Sequence, residues 1–257
     1  MSKRFEGKVV IVTGSSAGIG RAAILRFAKE GASVVIHGQS KEKLDSVKAE
    51  LLNSKIDESK ILVIPGSLQD EAVHDRLINE TVKHFGKLDI LINNAGIPGK
   101  SGVDSNSMEG YDAIMAVNVR AVYRLIQLAA PHLEKTKGSI VNISSSLSQC
   151  TLPMSIPYSI SKAALDHLTR NYARLLAEKG ICVNSVNPGL TATDFGVQMI
   201  PKEMLQNLIT EEEKKIPFKR ASTSDEQAEV ILNIASPTNT YMTGSIVFND
   251  GGYLISH

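Results

Sequence analysis

Tyr158 and Lys162 stand four residues apart in Tyr158-Ser-Ile-Ser-Lys162, and Ser145 lies thirteen residues upstream. On a helix, positions i and i+4 share a face, so a phenol and an ammonium at this spacing can project into one pocket. A free phenol titrates near pH ~10. A neighbouring cation favours phenolate, so Lys162 is expected to lower the Tyr158 value and make it a proton donor and acceptor near neutral pH. A serine hydroxyl nearby can hydrogen-bond the oxygen of a carbonyl or an alcohol. The same spacing is common on ordinary amphipathic helices, so its meaning depends on the elements that position it.

The first of these elements is at the N-terminus. Lys8-Val-Val-Ile-Val-Thr13 is an apolar run of strand length, followed by Gly14-Ser-Ser16-Ala-Gly18-Ile19-Gly20 and then by a helical pattern from Arg21 to Glu30. Strand, glycine-rich turn and helix form the context of a dinucleotide-binding fingerprint. Glycines let the backbone turn sharply and approach a pyrophosphate, whose charge then sits at the helix N-terminus. The spacing is Gly-x-x-x-Gly-x-Gly, and a turn of this kind is also compatible with simple tight packing.

Taken together, these residues resemble the short-chain dehydrogenase/reductase family, and the resemblance covers nearly the whole chain. Thr13-Gly14-x-x-x-Gly18-Ile19-Gly20 is similar to its cofactor turn, Asn93-Asn94-Ala95-Gly96 to its central strand end, and Ser145, Tyr158 and Lys162 to its catalytic set. Asn118, in Val117-Asn118-Val119, falls where the family has the asparagine of a catalytic tetrad, and Asn187-Pro188-Gly189 followed by Thr193 matches its nicotinamide-side loop. The resemblance implies hydride transfer between a nicotinamide cofactor and a small carbonyl or alcohol substrate. Tyr158 is then the general acid/base, and Ser145 holds the substrate oxygen. Lys162 binds the nicotinamide ribose and tunes Tyr158, and Asn118 holds a water linking Lys162 to solvent. Without the other motifs, Asn118 reads as a helix amide satisfying a backbone group. Ser144 and Ser146 flank Ser145, and the interval carried from the family selects Ser145. Gln149, Cys150, Leu152, Met154 and Pro157 lie between Ser145 and Tyr158 and are candidates for the substrate pocket, Gln149 foremost, or for ordinary loop packing.

On the cofactor side, the resemblance places Asn94 and Gly96 near the adenosine ribose, Ser67 and Leu68 at the adenine edge, and Pro188, Gly189, Thr191 and Thr193 at the nicotinamide carboxamide. The family often has aspartate where Ser67 stands. Ser16 belongs to the pyrophosphate turn, and Thr13 either contacts the cofactor or braces that turn. At the end of the second strand, in Val34-Val35-Ile36-His37-Gly38-Gln39-Ser40-Lys41, an NAD-specific site usually carries a carboxylate for the ribose 2′-hydroxyl. Gly38 occupies that position, so NADP(H) is favoured over NAD(H), with Ser40 and Lys41 available to the 2′-phosphate. Lys41 is equally compatible with a solvated first-turn position.

The chain has 257 residues, long enough for a large core, and one domain spanning residues 1–257 is expected. With 28 Lys+Arg against 27 Asp+Glu the net charge is +1, which offers no electrostatic footprint for nucleic acid. No run is read as approaching the roughly 18 apolar residues of a membrane span, and a cytoplasmic protein is expected. Cys150 and Cys182 are read as free thiols, and the six histidines form no cluster that suggests a metal.

Apolar runs at 8–13, 33–38, 60–65, 88–93, 137–144, 181–186 and 244–248 alternate with helical patterns at 18–30, 41–53, 70–85, 108–134, 157–179 and 225–235. That alternation predicts an α/β fold with a doubly wound parallel sheet of about seven strands, Rossmann-like, with helices on both faces. The family implies the strand order 3-2-1-4-5-6-7. The segment at about 195–217 breaks the alternation. Residues 201–210 fit a short amphipathic helix, and by resemblance this is the substrate loop, with Met199, Met204, Leu205, Leu208 and Ile209 suggesting a hydrophobic or mixed substrate. A homotetramer is expected from surplus apolar residues on the two long helices: Ala121, Val122, Leu125, Leu128, Ala164, Leu165, Leu168, Leu175 and Leu176. The alternative to an enzyme is a catalytically silent dinucleotide-binding regulator on the same fold.

Overall fold

Short runs of β-branched residues build the centre of the molecule. They form β1 (Val9–Val12), β2 (Ser33–Gly38), β3 (Ile61–Pro65), β4 (Ile90–Asn93), β5 (Ser139–Ile143), β6 (Cys182–Pro188) and β7 (Ile246–Asn249). All pairings are parallel, in the order β3-β2-β1-β4-β5-β6-β7, as expected. The computed structural model describes residues 3–195 and 202–256, so Met199 and Pro201 of the expected substrate loop lie outside the described residues.

The helices are α1 (Gly18–Lys29), α2 (Lys41–Asn53), α3 (Glu71–Phe85), α4 (Met108–Met115), α5 (Ala121–Thr136), α6 (Ile156–Leu176), α7 (Lys202–Lys215) and α8 (Ser224–Ile234). Side chains alternate across each strand, so Val10 and Val12 join one apolar core with α1, α2 and α8, while Ile11 joins a second core with α3, α5 and α6. The sheet is therefore doubly wound. Its direction of winding reverses between β1 and β4, which opens a crevice at the C-terminal strand ends.

Three expectations need correction. The single helix expected over 108–134 is broken by a π-helical turn at Ala116–Arg120, because the side chain of Asn118 is turned toward the loop after β4 instead of fitting a continuous α-helical face. The stretch Met108–Thr136 is long and apolar enough to cross a membrane by length and composition, contrary to the sequence reading. Its apolar residues Val117, Ala121, Val122, Leu125, Ile126, Ala129 and Leu133 instead pack in the second core. Finally, Ala121, Val122, Leu125, Leu165 and Leu176, expected at a subunit interface, are core residues. Leu175 is exposed, and on α5 so is Tyr123.

The helix expected over 201–210 runs on to Lys215. Its Met204 and Leu208 are exposed, so they are not held against the sheet.

Candidate active site

The glycine turn is held from three directions. Gly14 and Gly18 adopt φ +65° and +54°, a region that favours glycine. A Cβ on Gly14 would lie 2.9 Å from the Ala95 backbone, and one on Gly20 would lie 2.4 Å from Asn94 Nδ2 and 2.5 Å from the Gly14 carbonyl. Thr13, fully buried, accepts hydrogen bonds at its Oγ1 from the Asn94 and Ala95 amides, both at 3.0 Å. Thr13 is thus a brace. Asn94 Nδ2 in turn donates to the Thr13 and Gly14 carbonyls at 2.8 and 3.2 Å, so the Asn94 side chain supports the turn from below.

From β2, the Gly14 amide donates to His37 Nδ1 at 3.2 Å, while the Ser15 hydroxyl accepts from the His37 amide at 3.0 Å. Burial pushes the His37 imidazole down to about 4, so it is a neutral acceptor at pH 7. Sequence reasoning passed over His37 as a strand residue; only the fold brings it under the turn.

At the start of α1, Ala17 is extended and supplies no capping side chain, and the first turn carries no acid. By contrast α2, α3, α4 and α8 are capped by Ser40, Asp70, Ser107 and Thr223. Uncapped N–H groups behind a turn without side-chain bulk suit a pyrophosphate, so the residues present fit a dinucleotide. Ile19 is partly buried against the first core.

At the β2 end, a Cβ on Gly38 would come within 2.8 Å of Ser16 Oγ. The Ser40 hydroxyl accepts from the Lys43 amide at 3.3 Å, and Lys41 is exposed in the first turn of α2. Ser67 Oγ accepts from the Gln69 amide at 3.2 Å, and Leu68 is a core residue whose carbonyl meets His74 Nε2.

The chemistry-bearing residues cluster at the ends of β4 and β5. Tyr158 and Lys162 share the buried face of α6, as their spacing predicts, at 8 % and 4 % exposure. Lys162 Nζ donates to the Ile143 carbonyl at 2.8 Å and lies 5.5 Å from the Tyr158 ring centroid. The carbonyl of Lys162 accepts from Ser144 Oγ at 3.1 Å, which gives Ser144 a structural role. Ser145 Oγ accepts from the Leu147 amide at 3.1 Å, and Ser145 is the neighbour that favours the charged form of the Tyr158 phenol.

The expected lowering of the Tyr158 value is not what this environment produces. Burial pushes the phenol up to about 12, with Ser145 opposing it, and burial pushes Lys162 down to about 8 against the charge of Asp166. Desolvation of a buried site disfavours both charged forms and is the largest effect on each group here.

Asn118 Oδ1 accepts from the Ile97 amide at 2.8 Å, and its Nδ2 donates to the Ile97 carbonyl and to Ser161 Oγ, both at 3.0 Å. Its amide is satisfied by backbone, yet it lies beside Lys162. A Cβ on Gly96 would meet Asn118 Oδ1 at 3.3 Å and Lys162 Nζ at 3.5 Å. Gly96 therefore lies beside Lys162 and Asn118.

Pro188 ends β6, and a Cβ on Gly189 would lie 2.6 Å from Asp250. Thr191 Oγ1 is bonded to Ser222 Oγ at 3.0 Å, while Thr193 comes next to Gly18 across the crevice, 3.4 Å from where its Cβ would be. Gln149 is exposed at the rim, and the ring of Phe195 stands 5.9 Å from that of Tyr158. Two side chains complete the cluster: Asp166, one turn beyond Lys162, which sequence reasoning left out, and Asn187, read from sequence only as part of the nicotinamide-side loop, which donates to the Ser145 carbonyl at 3.1 Å. Their long-range meeting has no signature in local spacing. Cys150 and Cys182 are free thiols.

Comparisons with known proteins agree with this geometry. A family model described as enoyl-(acyl carrier protein) reductase matches residues 14–254. The 3-oxoacyl-[acyl-carrier-protein] reductase FabG of Thermotoga maritima is 35% identical over 255 residues, covering 98% of this chain and 100% of that one. A short-chain dehydrogenase/reductase of unknown function from Caenorhabditis elegans, solved with cofactor, superposes with a TM-score of 0.93 at 35% identity, over 99% of both chains. A short chain dehydrogenase from Burkholderia cenocepacia in complex with NADP superposes with a TM-score of 0.86 at 32% identity, over 98% of this chain and 99% of that one. The chain belongs to the short-chain dehydrogenase/reductase family. It is an NAD(P)-dependent oxidoreductase.

Proposed function

We propose that the protein interconverts a small-molecule carbonyl and the corresponding alcohol, with NADP(H) preferred over NAD(H) and Tyr158 as general acid/base. The observation that carries this reading is the meeting of Ser145, Tyr158 and Lys162 in one buried cluster. The nicotinamide, when bound, supplies or accepts the hydride.

The chain's own residues manage the proton and the oxygen. In the reductive direction the Tyr158 hydroxyl, protonated at pH 7, donates its proton to the substrate oxygen, and in oxidation the phenolate takes it back. Ser145 Oγ holds the same oxygen and stabilises its developing negative charge. Lys162, placed beside Gly96 and Asn118, holds a ribose hydroxyl and offsets charge on the phenolate. Asn118 keeps a water in line with Lys162. Gly14, Ser16, Gly18, Ile19 and Gly20 take the pyrophosphate, Asn94, Ser67 and Leu68 the adenosine side, and Pro188, Gly189, Thr191 and Thr193 the carboxamide. Gln149 and the apolar rim at Phe195 and Met154 contact a hydrophobic or mixed substrate.

The cofactor preference is supported by Gly38, which carries no carboxylate to repel a 2′-phosphate and where a Cβ would crowd the Ser16 side chain. Ser40 and Lys41 stand next to that position. Exposed Tyr123 and Leu175 on α5 and α6 support a homotetramer built on these helices. A cytoplasmic location is part of the same reading.

Nicotinamide absorbance followed against ketones, steroids, retinoids, sugars and secondary alcohols tests the activity, and turnover of at least one class is expected; a protein that binds cofactor yet turns over none is a silent binder. Fluorescence titration of both reduced cofactors tests the preference. Tighter, salt-sensitive NADPH binding that weakens in Lys41→Ala is the expected result, and equal or tighter NADH binding rejects it.

A further inference from the structure

Asp166 is 1 % exposed on the same face of α6 as Tyr158 and Lys162. Among the described residues no Lys, Arg or His forms an ion pair with it. Its hydrogen-bond contact is the neutral side chain of Asn187, whose Nδ2 lies 3.0 Å from each carboxylate oxygen. Taking a carboxylate out of water is costly unless a charge or several donors compensate it, and an apolar side chain would fill this helix position more cheaply. A buried charge held by one amide therefore needs another reason to be there.

Two contacts supply it. Asn187 Nδ2 also lies 3.1 Å from the Ser145 carbonyl and 3.1 Å from Ser148 Oγ, while its Oδ1 accepts from Ser185 Oγ at 2.6 Å. The carboxylate accepts only, so it dictates which way the Asn187 amide points: a flipped amide would set Oδ1 against two carboxylate oxygens. The amide hydrogens are thereby aimed at the backbone of Ser145. The second contact is electrostatic. The ammonium of Lys162 is buried and touches the Ile143 carbonyl but no carboxylate, and burial drives it down to about 8 with Asp166 acting in the opposite direction.

We propose that Asp166 is a positioning residue of the catalytic site: through Asn187 it fixes the backbone at Ser145, and its negative charge, one helical turn from Lys162, holds that ammonium cationic. The inference rests on the reading of Ser145, Tyr158 and Lys162 as the catalytic set. Tyr158 and Asp166 are the titratable groups beside Lys162, and its other named neighbours, Ile143, Gly96 and Asn118, carry no charge. On the elements packed around α6, the charged side chains Glu109, Asp112, Arg120, Glu178 and Lys179 are exposed at the surface.

The test reads Lys162 directly, without a substrate. Protein labelled with 13C at the lysine ε-carbon is titrated by NMR, and the Lys162 signal is assigned by its loss in Lys162→Met. Asp166→Asn is expected to lower the Lys162 midpoint by about one pH unit, as removal of a nearby opposite charge does. Once a substrate is known, the alkaline limb of the kcat/KM profile should move down by the same amount, and Asp166→Glu should restore it. A purely structural role would lower activity at every pH and leave the midpoint in place. An unchanged midpoint in a natively folded Asp166→Asn overturns the proposal. Asp166→Ser serves as the second neutral variant, and if neither neutral variant folds the residue is structural and the proposal is rejected. The catalytic reading fails separately: Tyr158→Phe turning over normally would sink it, while the Lys162 midpoint would still report whether Asp166 acts on the ammonium.

Discussion

Tyr158, Lys162 and Asp166 are 8 %, 4 % and 1 % exposed, whereas Phe195, Met204, Leu208 and Phe218 are 39 %, 57 %, 37 % and 72 % exposed, although the two groups meet where the rings of Phe195 and Tyr158 approach to 5.9 Å. On the α6 side Lys162 is tied to the Ile143 carbonyl, Asp166 to Asn187 and through it to the Ser145 backbone, and Ser161 to Asn118. On the α7 side, apolar side chains face outward with little to hold them. Buried polar networks tolerate little change, because each removed partner leaves another group unsatisfied, whereas exposed apolar groups can be exchanged at small cost to the fold. The molecule thus sets a buried polar cluster, the proposed site of proton transfer, beside an exposed apolar surface, and the rings of Tyr158 and Phe195 meet at their border.

The sharpest way to break this contrast is to remove one oxygen from the fixed side. Tyr158→Phe keeps the ring and its packing, so cofactor affinity measured by fluorescence should hold while kcat falls by about 10²–10⁴. Turnover within a few-fold of the unaltered protein would show that the proton comes from elsewhere.

Next in size is the glycine cradle, which belongs to the fixed side and is proposed to hold a different part of the ligand. Gly20→Ala puts a methyl 2.5 Å from the Gly14 carbonyl, a backbone atom that cannot swing aside. A destabilisation of about 3 kcal/mol, the upper end for overpacking, is expected in urea unfolding, together with weakened binding of both NADPH and NADH. Unchanged stability and affinity would mean that the turn shifts freely and is no preformed cradle.

How much of this division was legible beforehand follows from its physics. The i, i+4 pairing of Tyr158 and Lys162, the Val/Ile runs and the glycine spacing are local patterns, and they located the strands and the α6 face, while the strand order came only from the family resemblance. The π turn at Asn118 was not legible, since one extra residue in a helical turn leaves no compositional trace; it requires the Ile97 backbone to be present as a partner. Asp166 and Asn187 lie 21 positions apart and meet only after α6 docks on β6. The direction of the Tyr158 shift was misjudged because spacing reveals the neighbouring cation but not the depth of burial, and burial is the larger effect. The surplus apolar residues of α5 and α6 were misassigned for a similar reason: a helix under a sheet end buries a wider stripe than one interface needs, and Leu125 and Leu165 were part of it.

A third effect follows from His37, which joins the fixed side through the Gly14 amide. Its folded value of about 4 lies below the ordinary 6.5. As pH falls through that window the unfolded chain takes up the proton first, so the folded state loses stability between pH 6.5 and 4 and the loss is complete below it. Between pH 7 and pH 5 the contribution is roughly 2 kcal/mol. His37→Asn, which retains an acceptor for the Gly14 amide but does not titrate, should be less acid-sensitive than the unaltered protein by that amount in urea unfolding. Identical pH dependence in the two would show that the imidazole does not stay neutral under the turn.

The smallest expected change to the fold comes from the adjustable side. Phe195→Ala removes a ring that is 39 % exposed and whose ring contact is the Tyr158 ring, so unfolding free energy should stay within about 0.5 kcal/mol. The same substitution takes away an apolar surface beside the phenol, and an aromatic contact of this kind is worth about 0.5–1.5 kcal/mol, which corresponds to a rise in KM of up to about tenfold for an apolar substrate. Because the ring takes no part in proton transfer, kcat should change less than KM, and the pH dependence of kcat should be that of the unaltered protein. Met204→Ser, further along α7, should act in the same direction and more weakly. If Phe195→Ala instead lowers kcat while KM stays put, or shifts the pH profile, then Phe195 shapes the environment of the phenol itself, and the boundary between fixed chemistry and adjustable recognition lies beyond that ring.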